Sequence, residues 1–180
     1  MKRNRIGILV MVMAGLTLAG CEQRAQREPE SEVAAFALPE PISNNAVAVA
    51  DGPDGPTLYS FNGLKADKTW KDTSNAAYAC VIATQSCKSI SPVPVPEGRL
   101  ASAAVPVAGK IYIFGGYSVA ANGDERSTPE VFAFDPATGS YEQLTDMPTP
   151  ADDMLAVPYQ DRFIYLISGW HDEGNVSTVQ

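Results

Sequence analysis

Residues 110–148 read KIYIFGGYSVAANGDERSTPEVFAFDPATGSYEQLTDMP, and this stretch decides the fold. Residues 110–114 and 131–134 are rich in β-branched and aromatic side chains, which predicts two strands. The doublet Gly115-Gly116 ends the first of them, because residues without a Cβ let the chain turn close to another backbone. Residues 135–139 (DPATG) predict a tight hairpin turn, since proline presets one turn dihedral and glycine accepts a positive φ.

The same order of parts occurs three times in the sequence. Residues 58–63 (LYSFNG) lie 53 positions before residues 111–116 (IYIFGG), and residues 164–169 (IYLISG) lie 53 positions after them. The second half recurs as well, because residues 77–80 (AYAC) lie 54 positions before residues 131–134 (VFAF). A repeat of about 50 residues with four strands is typical of a β-propeller blade. Two matches at nearly the same offset favour consecutive blades over chance similarity between strands of an ordinary sandwich.

On these motifs the chain resembles the kelch-repeat family over about residues 39–180. The central repeat carries the family's glycine doublet, its aromatic-Asp-Pro-x-Thr-Gly hairpin and the Met147-Pro148 end. The chain departs from the family where Tyr141 and Cys87 replace a tryptophan, and where the doublet becomes Asn62-Gly63 and Ser168-Gly169. The resemblance implies an all-β, kelch-type β-propeller that is incomplete, with about two and a half four-stranded blades in this chain.

Analogy with the central repeat assigns the strands within a blade. Residues 101–107 are predicted to form the innermost strand, residues 110–114 the second, residues 130–134 the third and residues 140–144 the outermost. Because antiparallel strands alternate in direction, the connections between second and third strands share one face with the links between blades. These long segments are residues 64–75, 117–129 and 168–176, together with the links 92–98 and 145–152.

The N-terminus has the features of an exported lipoprotein. Lys2, Arg3 and Arg5 precede fourteen uncharged residues, 6–19, which are too few to span a bilayer but fit a signal-peptide core. Residues 18–21 (LAGC) resemble the bacterial lipobox, which implies a signal peptide over residues 1–20 and a diacylated Cys21. The alternative is a plain signal peptide with an incidental cysteine. Glutamate at the next position implies, by the same resemblance, an outer-membrane protein facing the periplasm.

The segment after the lipobox is predicted to be a tether. Residues 21–38 are charged and poor in large apolar side chains, so they cannot bury a core and predict a flexible linker. Residues 39–180 then form the blades. A complete propeller needs at least four blades of about 40 to 50 residues, so we expect this chain to be the N-terminal part of a longer protein.

The net negative charge of the chain limits the classes of molecule that it is expected to bind. The chain has a net charge of −8, and removal of residues 1–20 removes three basic residues, which leaves 10 basic against 21 acidic residues and a net charge of −11. An acidic surface argues against nucleic acid as a partner and against charge-driven binding to anionic lipid. Contact with the membrane is therefore expected only through the N-terminal lipid.

Cys80 and Cys87 remain as a pair once Cys21 is assigned to the lipid. They align with Phe134 and Tyr141, which flank the hairpin of the next repeat, so they should face each other across two strands. We predict a disulfide, as an exported protein allows, with two free buried thiols as the alternative. No metal site is expected here, because no histidine or second cysteine pair accompanies them.

Ligand-binding candidates lie in the long connections, because loops on a rigid scaffold usually carry function. Arg99 is a candidate for binding a carboxylate, with a structural link between blades as its alternative role. Trp70, between Lys68 and Lys71, could stack on a sugar ring or pack against its own blade. The other candidates are Tyr117 and the pair Trp170-His171, which could supply an aromatic platform and a proton carrier or simply form a solvated turn.

Two functions from different classes follow. The first is a binding module for protein or carbohydrate on the long-loop face, since no catalytic motif is visible and no cofactor is expected. The second rests on similarity to exported kelch proteins of the N-acetylneuraminate epimerase type. The shared features are the export signal, residues 38–41 (LPEP), Tyr59 in the first blade, and Arg99 followed by residues 101–114. That resemblance implies anomer exchange of sialic acid, with Arg99 as the cation for the substrate carboxylate.

Overall fold

The computed structural model describes residues 36–180, and the chain there builds antiparallel sheets in sequence order. The predicted signal peptide, the lipidation of Cys21 and nearly all of the tether lie outside the described residues. The first sheet has the strand order β1-β2-β3-β4. Its strands are β1 (Ala46–Gly52), β2 (Gly55–Leu64), β3 (Thr73–Val81) and β4 (Ser86–Ile90), with a short 3₁₀ helix, Trp70–Asp72, before β3.

The second sheet repeats this arrangement with one addition. Its four strands are β5 (Ala103–Val107), β6 (Lys110–Phe114), β9 (Val131–Asp135) and β10 (Ser140–Gln143), paired in the order β10-β9-β6-β5. The connection from β6 to β9 was expected to be a loop, but it contains a two-stranded hairpin of β7 (Tyr117–Val119) and β8 (Glu125–Ser127). The innermost strand also begins two residues later than predicted.

The third unit contains β11 (Leu155–Tyr159), β12 (Phe163–Ile167) and a hairpin of β13 (Trp170–His171) and β14 (Gly174–Asn175). A third strand begins beside β12, because Val179 bridges to Ile167 and the backbone of Gln180 makes two 2.9 Å hydrogen bonds with Leu166. Strands β1, β5 and β11 lie side by side, as the innermost strands of neighbouring blades do. The predicted all-β propeller fold is confirmed, with two four-stranded blades and part of a third within residues 36–180.

The cores lie between neighbouring blades. Between the first and second blades, Tyr59 and Phe61 of β2 pack against Phe134 of β9, with ring centroids 5.4 Å apart in both pairs. A second cluster joins the second and third blades and includes Val105, Phe114 and Leu166. Each blade therefore depends on its neighbour to bury its apolar faces.

The glycine doublet keeps its backbone conformation in the two repeats where another residue replaces its first glycine. The first residue of each doublet has a positive φ, which is 60° at Asn62, 46° at Gly115 and 60° at Ser168. The glycine that follows has a φ of 115°, 90° and 116° in the three repeats. The residue after each doublet then pairs with the link before the blade, through the bridges Ser43–Leu64, Leu100–Tyr117 and Asp152–Trp170. The repeat predicted from the sequence is thus a structural repeat.

No helix within residues 36–180 has the length and hydrophobicity that a membrane crossing needs.

Cys80 and Cys87 form a disulfide across β3 and β4, where they are directly opposite each other. The bond closes a short loop around the outer hairpin of the first blade. We expect reduction to lower the free energy of unfolding by about 2–3 kcal/mol, because the loss of a short cross-link restores chain entropy to the unfolded state. Urea unfolding with and without reductant measures this difference. The double variant Cys80→Ala/Cys87→Ala should have the lower midpoint and should not respond to reductant, and an equal response in both proteins would contradict the prediction.

Candidate functional site

Arg99 lies in the link between the first two blades, and its backbone is fixed from both sides. Its N–H donates to the carbonyl of Ser74 at 3.4 Å, and its own carbonyl accepts from the N–H of Gly63 at 2.9 Å. The preceding Gly98 leaves no space for a Cβ, which would collide with the backbone of Thr73. The link therefore lies against the end of β2 and the start of β3, and the Arg99 side chain extends to Glu130 of the next blade.

The guanidinium of Arg99 is buried, with the residue only 5% exposed. Its Nη2 donates to Oε1 of Glu130 at 3.2 Å, and its Nη1 donates to the carbonyl of Glu97 at 3.2 Å. A guanidinium carries five N–H donors, and the side-chain hydrogen bonds of Arg99 within residues 36–180 use two of its nitrogens, so donors remain for a ligand in the described part of the chain. The ion pair with Glu130 also shows that this position accommodates a carboxylate.

A cavity of about 530 Å³ opens beside Arg99 on the long-loop face. Its walls come from the two links between blades, from the β7–β8 hairpin and from the β13–β14 hairpin. The residues that line it are Pro96, Glu97, Arg99, Ser118, Arg126, Ser127, Thr128, Pro129, Glu130, Pro150, His171 and Asp172. Both cations and carboxylates are among them, so the lining suits a ligand with a charge and several hydroxyl groups.

Two buried polar atoms in the cavity lining have no hydrogen-bond partner among residues 36–180. They are Oε2 of Glu130 and Nδ1 of His171. His171 lies beside Asp172, but Nδ1 is 4.0 Å from Oδ2 of that carboxylate, which is too long for a hydrogen bond. Buried polar atoms are normally paired, so unpaired atoms at a cavity wall are positioned to bind a solute.

Ser127 joins the two hairpins that form the far wall of the cavity. Its Oγ donates to Oδ2 of Asp152 at 2.6 Å and accepts from the backbone N–H of Asp172 at 3.1 Å. Its backbone N–H donates to Oδ1 of Asp172 at 2.9 Å. Burial raises the pKa of the Asp152 carboxyl, an effect that the hydrogen bond from Ser127 opposes and the nearby acidic side chains reinforce. This network fixes the β13–β14 turn, and with it the position of His171.

The structure brings together two of the five predicted ligand-binding residues, Arg99 and His171. Trp70 is 43% exposed on the 3₁₀ helix, with Nζ of Lys71 5.5 Å from its ring, and it does not line the cavity. Tyr117 is half-buried on β7 and also lies outside the lining, where burial and nearby acidic groups raise its phenol pKa. Trp170 is 42% exposed, and its Nε1 donates to the carbonyl of Asp172 at 3.2 Å.

Sequence reasoning missed Glu130 and Ser127 as parts of this site. Ser127 ends β8, in a segment that the sequence assigned to a loop, and Glu130 directly precedes β9, in a segment that the sequence assigned to the scaffold. Only the contact between blades places them at the cavity. Within residues 36–180 no cluster of three or more histidine, cysteine or acidic side chains is arranged to hold a metal ion.

Comparison with known proteins supports the kelch fold. A family model for the kelch motif matches residues 98–148, which span the link with Arg99, the whole second blade and Glu130. The solved structure of YjhT has a TM-score of 0.60 with this chain at 18% sequence identity. That similarity covers 77% of this chain but 37% of YjhT, so the chain spans well under half of that protein's length. No curated protein has a sequence that matches this chain.

Proposed function

We propose that this kelch-repeat chain is a binding module of the bacterial cell envelope, anchored by a lipid on Cys21, and that it binds an anionic carbohydrate such as a sugar acid at Arg99. The main support is a buried guanidinium at the wall of a cavity of about 530 Å³, with N–H donors that no residue among 36–180 uses. Fold alone does not assign a ligand, so the proposal rests on the chemistry of this cavity.

The carboxylate of the ligand would bind at Arg99. A guanidinium presents a planar fork that matches a carboxylate, and such charge-assisted bonds strengthen where water is excluded. Glu130 occupies one donor of Arg99 in the structure at 3.2 Å, so the ligand would share the guanidinium with it or displace it. The hydroxyl groups of a sugar could then pair with Oε2 of Glu130 and Nδ1 of His171, the two buried atoms that have no partner among the described residues.

The exposed tryptophans extend the proposed surface beyond the cavity. Trp70 and Trp170 are both more than 40% exposed in the long connections, although neither lines the cavity. Exposed aromatic side chains suit contact with a longer glycan or with a protein. They would add area to a ligand held at Arg99 rather than form its primary site.

One observation favours the alternative function, a carbohydrate-active enzyme that exchanges sugar anomers. Glu130 and His171 carry groups that can transfer protons, and both place an unpaired atom at the wall of the same cavity. Anomer exchange needs a proton donor and acceptor near the ring oxygen and the anomeric hydroxyl, with a cation for the carboxylate. The alternative therefore uses the same site as the binding module.

Titration with two sugars tests the proposal on the full chain. Calorimetry should detect binding of N-acetylneuraminate and at least tenfold weaker binding of neutral N-acetylmannosamine, since only the first has a carboxylate for Arg99. Arg99→Gln should abolish the difference, and Glu130→Gln should tighten N-acetylneuraminate binding because it removes the competing carboxylate. Lys71→Gln, which removes an exposed positive charge outside the cavity, serves as the control and should bind normally.

Equal affinity for the two sugars, or unchanged affinity in a folded Arg99→Gln protein, would refute the proposed site. Anomer exchange followed by NMR separates the two functions. If the protein accelerates anomer exchange, and His171→Ala abolishes this acceleration while the sugar still binds, the protein is an enzyme. If the sugar binds normally but exchanges anomers at the uncatalysed rate, the protein is a binding module.

A further inference from the structure

The carboxylate of Glu130 is only half used at the wall of the cavity beside Arg99. Its Oε1 accepts from Nη2 of Arg99 at 3.2 Å, while its Oε2 is buried and has no hydrogen-bond partner among residues 36–180. A buried carboxylate oxygen without a donor is costly, because it has lost contact with water and gained no hydrogen bond in exchange. Oε2 therefore needs a donor, and a positively charged donor would pair with it most strongly.

The ionisable side chains that line this cavity carry more negative than positive charge. Its arginines are Arg99 and Arg126, and its carboxylates belong to Glu97, Glu130 and Asp172. A ligand whose only charge is a carboxylate would add to this excess in a site that excludes water, where repulsion between like charges is strong. A ligand that also carries an ammonium group would bring in the compensating positive charge.

A buried carboxyl behind the far wall of the cavity shows the same excess. Asp152 is 3% exposed, and its Oδ2 accepts from Ser127, which lines the cavity. Burial raises the pKa of this carboxyl, the hydrogen bond from Ser127 opposes that effect, and the negative charges of Asp153, Glu125 and Asp172 reinforce it. The charges that shift this carboxyl are all acidic, so a cation bound in the cavity would offset them.

The two oxygens of Glu130 place the sites for the two ligand charges side by side. A ligand carboxylate can bind the guanidinium of Arg99 through the N–H donors that no residue among 36–180 uses. An ammonium group that binds Oε2 of Glu130 then lies next to this carboxylate, because Arg99 already holds Oε1 of the same group. The ligand must therefore carry its two charged groups on neighbouring positions. The cavity of about 530 Å³ has room for such a molecule with a sugar ring.

We infer that the ligand is an amino-sugar acid, a sugar that carries a carboxylate and a free amine on neighbouring ring positions, as muramic acid does. The carboxylate binds Arg99, the ammonium binds Oε2 of Glu130, and a ring hydroxyl group donates to Nδ1 of His171. This inference rests on the proposed binding of a sugar acid at Arg99 and narrows the ligand to sugars with a free amine.

Calorimetry on the full chain with three probes tests the inference. Muramic acid should bind about tenfold more tightly than N-acetylmuramic acid, because the acetyl group removes the positive charge that pairs with Glu130. The free amino acid alanine has both charges but no ring, so it should bind more weakly than muramic acid. Raising the pH from about 7 to about 10 should weaken the binding of muramic acid but not of N-acetylmuramic acid, since a free amine loses its proton over this range.

Glu130→Gln separates the effect of charge from a loss of folding. This variant should bind muramic acid about tenfold more weakly than the original chain does, because the charged partner of the ammonium is gone. It should bind N-acetylneuraminate at least as tightly as before. Unfolding cannot produce both results in one protein. Glu142→Gln removes an exposed carboxylate of β10 outside the cavity, and it should leave both affinities unchanged.

Each outcome decides the inference. A preference for muramic acid that Glu130→Gln abolishes supports it. Equal binding of muramic acid and N-acetylmuramic acid, with N-acetylneuraminate still bound through Arg99, overturns the inference and leaves the proposed function intact. Binding of alanine as tight as that of muramic acid also overturns it, because the cavity would then select an amino acid. If none of the sugars binds, the proposed function and the inference both fail.

Discussion

Phe134→Ala is expected to lower the free energy of unfolding by about 3–5 kcal/mol, the usual cost of removing a fully buried phenylalanine. Phe134 is 1% exposed and contacts three other aromatic rings, those of Tyr59, Phe61 and Tyr141. The side chain spans the junction between two blades, so its loss leaves a cavity that neither blade can close alone. A small domain has only about 5–15 kcal/mol of stability, so this variant should unfold at a much lower urea concentration than the original chain.

Phe163→Ala is the matched control for that experiment. Phe163 begins β12 and is 46% exposed, so the same chemical change should cost about 1 kcal/mol or less. Equal losses in the two variants would mean that the first two blades are not joined through Phe134. Near-ultraviolet circular dichroism gives a second readout, because only the Phe134 variant should lose the signal of packed aromatic rings.

Gly116→Ala should have the other large effect, a loss of about 3–5 kcal/mol from backbone strain and steric overlap together. Gly116 has a φ of 90°, and a Cβ there would lie 2.6 Å from the carbonyl oxygen of Leu100 and would also collide with Ser102. The N–H of Gly116 donates to the carbonyl of Ala151, so the residue holds the link to the third blade as well as the link before the second. Thermal unfolding measures the change.

Gly109→Ala separates the two contributions to that loss. Gly109 has a φ of 76°, but a Cβ there meets no atom within 4 Å. Gly109→Ala should therefore lower the free energy of unfolding only through backbone strain, by about 1–2 kcal/mol. An equal loss of stability in Gly116→Ala and Gly109→Ala would show that the link does not approach the glycine doublet as closely as the structure places it.

The strands were predictable because each side chain that defines them acts locally. The β-branched and aromatic residues at 111–114, the turn at residues 135–139 and the opposed cysteines all follow from neighbouring residues and from the repeat. The sequence analysis treated Asn62 and Ser168 as departures from the glycine doublet, yet both have the positive φ that Gly115 has in the central repeat.

The candidate site was less predictable, because it is built from contacts between repeats. Arg99 was chosen for its charge, but its partner Glu130 lies 31 positions away, directly before β9. Trp70 and Trp170 were chosen for their residue type, yet a tryptophan in a loop can face any direction, and neither reaches the cavity. The β7–β8 hairpin was missed because its strands are three residues long, too short for an alternating pattern to stand out.

An NMR map of contacts between blades in the folded chain tests directly whether the three repeats are neighbouring blades of one propeller. We expect nuclear Overhauser contacts between the rings of Phe61 and Phe134, which are 73 positions apart in sequence but 5.4 Å apart between centroids. Contacts between β5 and β11, which place the third repeat beside the second, are expected as well. A folded protein in which the three repeats give strand contacts only within themselves, with neither set of contacts between them, would show that the repeats are not neighbouring blades.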